Sequence, residues 1–167
     1  FLQLIEVVVA AKFRKAEHVS FRAVRRAYEN AQQQWSLEHP FARLQLEALG
    51  GHIVHRLRQE EAPGTSLQAL DQPEQWTLPG LVIKMLHQLD YERELAARWY
   101  PCGKDVPIVV DPRISAGLPV VKGRGVTIQV SHKRFTAGQR IGFIAQDFAL
   151  DVSVVEEVLR YAENIAA

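Results

Sequence analysis

The sequence has little of several features that define whole classes of protein. Cys102 is the only cysteine among 167 residues, so no disulfide can form within the chain and a reducing compartment is expected. Apolar runs such as residues 7–11 are far shorter than the roughly 20 residues that cross a bilayer. Internal repeats and low-complexity tracts are absent from the sequence. With 47% hydrophobic residues, the chain is predicted to be a small cytoplasmic protein whose core forms one domain or two small ones.

The sequence also lacks an excess of charge of either sign, because 20 Lys and Arg residues nearly balance 19 Asp and Glu residues, for a net charge of +1. Basic residues nevertheless cluster in two places. Near the amino-terminal end they are Lys12, Arg14, Lys15, Arg22, Arg25 and Arg26, and in the last third Lys122, Arg124, Lys133, Arg134 and Arg140. Each group is either ordinary solvated surface or a phosphate-contacting patch, and a phosphate-contacting patch predicts a steep dependence of binding on salt.

Turn residues and short apolar runs alternate from residue 108 onward. The apolar runs cover residues 108–110, 120–121 and 126–130, and Pro or Gly residues stand between them. This alternation is typical of short strands joined in hairpins. Further along, the apolar period changes from two to 3.6, as in the stripe Val155, Val158, Leu159 and Ala162. A hairpin followed by three closely spaced helices is therefore predicted, with Asp151 at the amino-terminal cap of the last helix.

The spacing inside these helices fits a helix-turn-helix. That motif needs a small residue where the second helix crosses the first, and Ala145 occupies the position. Four residues later it needs a residue that tolerates a tight turn, where Gly is usual and this chain has Ala149. Val155 and Val158 would then close the corner. The same spacing also arises in ordinary three-helix cores.

The last third of the chain resembles a widespread bacterial domain of unknown function, often found in antitoxins of VapB type. The resemblance lies in VVDPRISAGLPVVKGRGVTI, the following G-x-x-I-G-x-I-A and the final L-D-V-x-x-V-x-x-V-L-R-Y-A. The matching positions are Asp111, Pro112, Gly117, Pro119, Gly123, Ile144, Ala145, Val155, Leu159 and Tyr161. The resemblance implies a homeodomain-like three-helix unit behind a β-hairpin.

The amino-terminal end resembles the later helices of a MerR-like winged-helix domain. Two helically spaced stripes flank the segment His18-Val19-Ser20, where Ser20 suits a helix cap. The stripes are Leu2, Ile5, Val9 and Phe13, then Phe21, Val24, Tyr28, Ala31 and Trp35. In such proteins the groove-reading helix lies further upstream. We therefore expect the chain, which starts at Phe1 within a helical pattern, to be a fragment whose missing piece is a DNA-binding helix-turn-helix.

The fold class predicted is α+β, in three parts. Residues 1–58 form the MerR-like part with a hairpin at Gly50-Gly51, and 59–104 contain a linker, a short helix over Leu81, Met85 and Leu89, and a hairpin strand. Residues 105–167 form the antitoxin-like domain. A further hairpin is predicted from residues 95–100 and 106–110.

Patterns that carry chemistry are few. His52 and His55 would point to opposite faces of a strand, which defeats shared metal ligation. Asp90, Glu92 and Glu94 would share a strand face, but their surroundings favour an exposed segment. Cys102 lies in a turn without a patterned base nearby, and Gly123-Arg124-Gly125 lacks the third glycine of a dinucleotide loop. The sequence therefore predicts no catalytic site, no metal site and no cofactor.

Three functions stay open. The resemblance implies an antitoxin that neutralises a PIN-domain ribonuclease toxin of VapC type and represses its own operon; the alternatives are a stand-alone MerR-like regulator and a structural dimerisation module. The amino-terminal basic group is expected to contact operator DNA backbone, and the second basic group to contact toxin or nucleic acid. A homodimer is expected through Val154, Val155, Val158 and Leu159. The last helix is not expected to read DNA, because Glu156, Glu157 and Glu163 would repel phosphates.

Overall fold

A computed structural model of the chain describes residues 1–18, 20–43 and 80–166. These residues form a mixed α+β fold of helices and two small two-stranded sheets, which confirms the predicted fold class. The chain divides into two compact units, residues 1–96 and 97–167. Among the described residues, no helix is both long enough and apolar enough to span a membrane. The predicted hairpin at Gly50-Gly51 and the His52 and His55 pair lie outside the described residues.

The first unit is built on two helices, α1 (Leu2–Glu17) and α2 (Phe21–Trp35), as the apolar stripes predict. Helix α1 ends at His18, which adopts a left-handed conformation (φ 53°). Helix α2 begins after Ser20, whose hydroxyl accepts a hydrogen bond from the backbone amide of Ala23 (3.2 Å). A 3-10 turn, Pro40–Ala42, inserts the buried Phe41 between the helices. Its ring lies 5.5 Å from that of Phe13 and 5.2 Å from that of Tyr28.

Helix α3 (Gly80–His87) and strands β1 (Leu89–Glu92) and β2 (Leu95–Trp99) follow. The predicted short helix is present, but Leu89 begins a strand instead of ending the helix. Strand β2 pairs with β1 through a turn whose central residues, Arg93 and Glu94, both have positive φ (51° and 67°). The predicted hairpin between residues 95–100 and 106–110 is thereby reduced to one antiparallel bridge, Trp99 to Val110.

The second unit begins with a minimal hairpin. Strand β3 (Ile108–Val109) pairs antiparallel with β4 (Val120–Val121), with Ile108 opposite Val121. The third apolar run of the predicted hairpin is not a strand. Only Thr127 forms a bridge, to Val120, and helix α4 (Ile128–Thr136) starts directly after it. Run length and β-branching cannot distinguish a short strand from the first turn of a buried helix here.

Helices α5 (Ile141–Phe148) and α6 (Val152–Ala166) complete the predicted trio. Ala149 joins them in the left-handed conformation (φ 51°, ψ 50°), and the Leu150 amide donates to the Ala145 carbonyl oxygen (2.8 Å) in a Schellman arrangement. Ala145 is buried at the corner, next to Ile144, Val155 and Leu159. The predicted tight corner between α5 and α6 is therefore present, with Ala149 in the position that glycine usually takes.

Candidate interaction surfaces

A buried carboxylate organises the loop between β3 and β4. Asp111 is 2% exposed and accepts hydrogen bonds from Arg98 Nε (3.0 Å) and from the Arg113 backbone amide (2.9 Å), Nε (3.0 Å) and a terminal guanidinium nitrogen (2.9 Å). The hydrogen bonds from Arg113, with help from Arg98, lower the pKa of Asp111 to about 2 although burial opposes this shift. The loop therefore starts from a fixed, charged anchor.

This anchored loop presents apolar side chains to solvent. Ile114 and Leu118 are 40% and 42% exposed, and the residues between them turn sharply, with positive φ at Ser115, Ala116 and Gly117. The Ser115 hydroxyl donates to the Gly125 carbonyl oxygen at 3.5 Å, which holds the loop beside the turn that carries Arg124. The loop surface, defined by Ile114, Leu118 and Arg124, combines apolar groups with an exposed cation. Exposed apolar side chains beside an arginine are common at surfaces that bind other proteins.

The side chains of the second basic group lie in different surroundings. Arg134 is held between helices, because its guanidinium pairs with Asp147 and stacks 4.8 Å from the Phe148 ring centroid. Its side chain is only 22% exposed. Lys122 extends its ammonium over the Tyr100 ring at 5.2 Å. The three remaining cations, Arg124, Lys133 and Arg140, are exposed.

The amino-terminal basic group lies at the end of α1 and the start of α2, as predicted. Arg14 and Lys15 lie in the last turn of α1, and Arg22, Arg25 and Arg26 lie on the first turns of α2. All five are exposed, while Lys12 is half-buried. Arg25 also pairs with Glu29 one turn later (2.9 Å), an exposed contact that contributes little to stability.

A groove of about 770 Å³ lies between α1 and α2. Its floor includes Glu6, which is 8% exposed, and one Glu6 oxygen accepts hydrogen bonds from the Tyr28 hydroxyl and pairs with His39 Nδ1, both at 2.9 Å. Burial, and then the hydrogen bond to Glu6, raise the pKa of Tyr28 to about 12. The other oxygen, Oε1, has no hydrogen-bond partner among the described residues. Exposed apolar walls flank this floor, since Val7 and Phe21 are 67% and 66% exposed.

Helix α6 uses most of its apolar side chains inside its own unit. Val155, Val158 and Leu159, which the sequence suggests for dimer contacts, are at most 5% exposed and belong to the core with Ile108 or Ile144. Val154 is half-buried against the same core. A dimer through these four side chains would require the unit to open, because α4 and α5 already cover them. The opposite face of α6 is polar and acidic, with Ser153, Glu156, Arg160 and Glu163 exposed and Glu157 half-buried beside Arg160.

Sequence reasoning missed both buried carboxylates. The sequence singled out Asp111 only as a position of the family resemblance. Its partners Arg98 and Arg113 stand on either side of it in the sequence, and the bridge between Trp99 and Val110 brings Arg98 close. Glu6 stands in an apolar helical stripe, and a carboxylate at such a position signals a buried partner. In the described residues, no group of three or more His, Cys, Asp or Glu side chains could hold a metal ion. Burial raises the pKa of the Cys102 thiol, which disfavours its reactive thiolate.

Comparison with known proteins finds a family match within the second unit and a similar fold along most of the chain. Residues 108–162 match the model of the family described as a protein of unknown function, DUF433. This match confirms the resemblance of the last third to a domain of unknown function. The chain is also similar to the crystal structure of Rv2018 from Mycobacterium tuberculosis, at 21% identity and a TM-score of 0.74, over 95% of this chain and 77% of that one. That likeness shows a shared fold. No curated protein matches the chain.

Proposed function

We propose that this chain is the antitoxin of a type II toxin–antitoxin pair, neutralising a PIN-domain ribonuclease of VapC type and repressing its own operon as a homodimer. The observation that carries the proposal is the hairpin and three-helix unit within residues 108–162, which match a family of unknown function. The sequence motifs of this segment resemble a domain often found in VapB-type antitoxins. The polar, acidic outer face of α6 supports a protein-binding role for this unit, since its carboxylates would repel a DNA backbone.

Toxin contact is assigned to the loop surface, Ile114, Leu118 and Arg124. A PIN nuclease carries an acidic metal site, and an exposed arginine beside apolar side chains suits a contact over the mouth of such a site. Rigidity favours this assignment, because the Asp111 anchor holds the loop before a partner arrives and so lowers the entropy cost of binding.

Co-expression with the adjacent gene product tests this contact. We expect the toxin to co-purify with the chain, and Ile114→Asp to abolish co-purification by placing a charge in the contact. Val152→Asp is the matched control, since Val152 is similarly exposed (48%, against 40% for Ile114) and lies at the first position of α6, where Asp is well tolerated. Equal loss from both variants, or no co-purification by the unmodified chain, would count against the proposal.

Operator binding is assigned to the exposed arginines at the start of α2, in a MerR-like arrangement. Positive side chains near a helix amino terminus add to the pull of its dipole on phosphate. Replacing Arg22, Arg25 and Arg26 with Ala should weaken binding to all DNA sequences about equally and flatten the salt slope by up to about three units. The control is the same charge change at Lys84, Lys104 and Arg160, which are exposed and lie outside both basic groups. An unchanged salt slope in the α2 variant would make these arginines ordinary solvated surface.

A stand-alone MerR-like regulator is the second candidate, and the exposed basic residues on both sides of the α1–α2 connection favour it. It predicts the same loss of DNA affinity in the α2 variant but no stable complex with a neighbouring gene product. The co-expression experiment therefore distinguishes the two candidates.

A further inference from the structure

The groove between α1 and α2 is too open for an enclosed small-molecule site. Its volume, about 770 Å³, is within the range of ligand pockets, but its walls include side chains that are two-thirds exposed, Val7 and Phe21. The groove-lining positions of α1 run from Gln3 to Lys15 at intervals of three and four residues, a stripe of about 18 Å, and His18 follows just beyond the helix. Such a stripe is typical of a helix face that receives another helix.

The chemistry of this stripe is complementary to itself. If two copies of α1 meet in opposite directions about a two-fold axis between Ala10 and Ala11, residue i of one copy faces residue 21 − i of the other. Ala10 then faces Ala11, and these small side chains let the helices approach closely at the centre. Val7 faces Arg14, whose aliphatic stem can cover an apolar side chain while its guanidinium stays in water.

The same register brings opposite charges together. Glu6 faces Lys15, so the ammonium of one copy reaches the groove floor where Glu6 Oε1 lacks a donor among the described residues. Gln3 lies opposite the carboxyl-terminal end of the partner's α1, where His18 follows the helix, so polar groups stand at both ends of the seam. A parallel pair would instead set Arg14 and Lys15 against the same residues of the partner. In the antiparallel pair the two Arg14 side chains are about 10 Å apart along the axis, close to a Debye length.

We infer that this groove is the dimer interface of the chain, in which α1 of each copy packs antiparallel into the groove of the other. The result is a four-helix bundle of α1 and α2 from two copies, an isologous contact that closes on itself. The inference rests on the homodimer in the proposed function and assigns the surface through which it forms. This interface takes the place of the dimer contact that the sequence suggested on α6, whose apolar side chains pack within one copy.

Disulfide cross-linking of the full chain tests the register, in a Cys102→Ser background that removes the native thiol. Val7→Cys and Arg14→Cys variants, each oxidised alone, should give little cross-linked dimer, because the two identical positions lie about seven residues apart along the seam. Mixed in equal amounts, they should cross-link readily. Ala10→Cys alone should cross-link, and Gln33→Cys, exposed on α2, should not.

Mass in solution tests the interface itself. At tens of micromolar, light scattering should return twice the 18.9 kDa of one chain, and Ala11→Glu should return the monomer, because it sets two carboxylates at the centre of the seam. Ala11 is exposed within one copy, so circular dichroism of the variant should match that of the parent. Gln33→Glu is the control and should remain dimeric.

Other outcomes would overturn the inference in distinguishable ways. A monomeric parent chain contradicts both this interface and the homodimer of the proposed function, and leaves the groove to another partner. A dimer that survives Ala11→Glu, with no cross-link from the Val7→Cys and Arg14→Cys mixture, keeps the homodimer and removes this interface. Cross-linking of Val7→Cys with itself would show a parallel pair and contradict the register.

Discussion

Replacing Asp111 with Asn should destabilise the second unit, although the two side chains have nearly the same size and shape. The native contacts lower the Asp111 pKa from 3.8 to about 2, which corresponds to about 2.5 kcal/mol at 1.36 kcal/mol per unit. Solvent screens part of this, because the Arg98 and Arg113 side chains are 37% and 53% exposed, so the charge contributes about 1–2 kcal/mol. The new amide would also direct a donor at a guanidinium, and the total loss should be about 2–3 kcal/mol.

Hydrogen exchange shows which part of the chain loses stability in Asp111→Asn. The amides of Trp99 and Val110 donate to each other's carbonyl oxygens across the bridge beside Asp111 (3.0 and 2.8 Å), so their protection should fall while that of α1 in the first unit is retained. Asp105→Asn removes the same charge from an exposed site and serves as the control. Equal protection in Asp111→Asn and the parent, or an equal loss of protection in Asp105→Asn, would refute the claim that Asp111 stabilises this part of the second unit.

The pH dependence of stability provides a second check on the same residue. Because the folded pKa of Asp111 lies below its unfolded value, its stabilisation is complete above about pH 4 and is lost as the pH falls toward 2. Urea unfolding of the parent should show this loss, and Asp111→Asn should lack the part that Asp111 contributes. A variant with the full acid sensitivity of the parent would contradict the assignment.

Three further predictions concern stability and are checked by urea unfolding. Ala149→Gly should stabilise the chain by about 0.5–1 kcal/mol, because relief of the left-handed strain exceeds the entropy cost of glycine; a loss would contradict the corner geometry. Ser131→Ala should stabilise by about 1 kcal/mol, because the buried Oγ has no partner among the described residues; destabilisation would reveal one. Tyr28→Phe should cost about 1–2 kcal/mol, and the parent's stability, complete below about pH 10, should fall more steeply toward pH 12 than the variant's.

Helices were the most predictable part of the fold, and the reason is their length. α1, α2 and α6 each repeat the 3.6-residue period over about four turns, so local pattern and tertiary burial agree along the whole element. The corner between α5 and α6 was also predictable, because close crossing requires a small side chain and the turn requires a left-handed residue. Ala145 and Ala149 meet these needs at the expected spacing.

Short strands and surfaces were less predictable, because they depend on what lies beside them. Residues 126–130 read as a strand, but Thr127 adopts an extended conformation only to begin α4. Val155 and Val158 read equally well as dimer contacts or core, and the choice depends on how α4 and α5 pack against α6. The Asp111 anchor joins Arg98 on β2 to the loop after β3, so it depends on the pairing of Trp99 with Val110, which no local pattern shows.

Inhibition of the toxin is the most direct test of the proposed function. The adjacent gene product, purified as a ribonuclease, would be assayed for RNA cleavage with increasing amounts of the full chain. The account predicts loss of cleavage as the chain approaches equimolar amount, loss of that inhibition with Ile114→Asp, and its retention with Val152→Asp. Undiminished cleavage at a large excess of the folded chain would contradict the account.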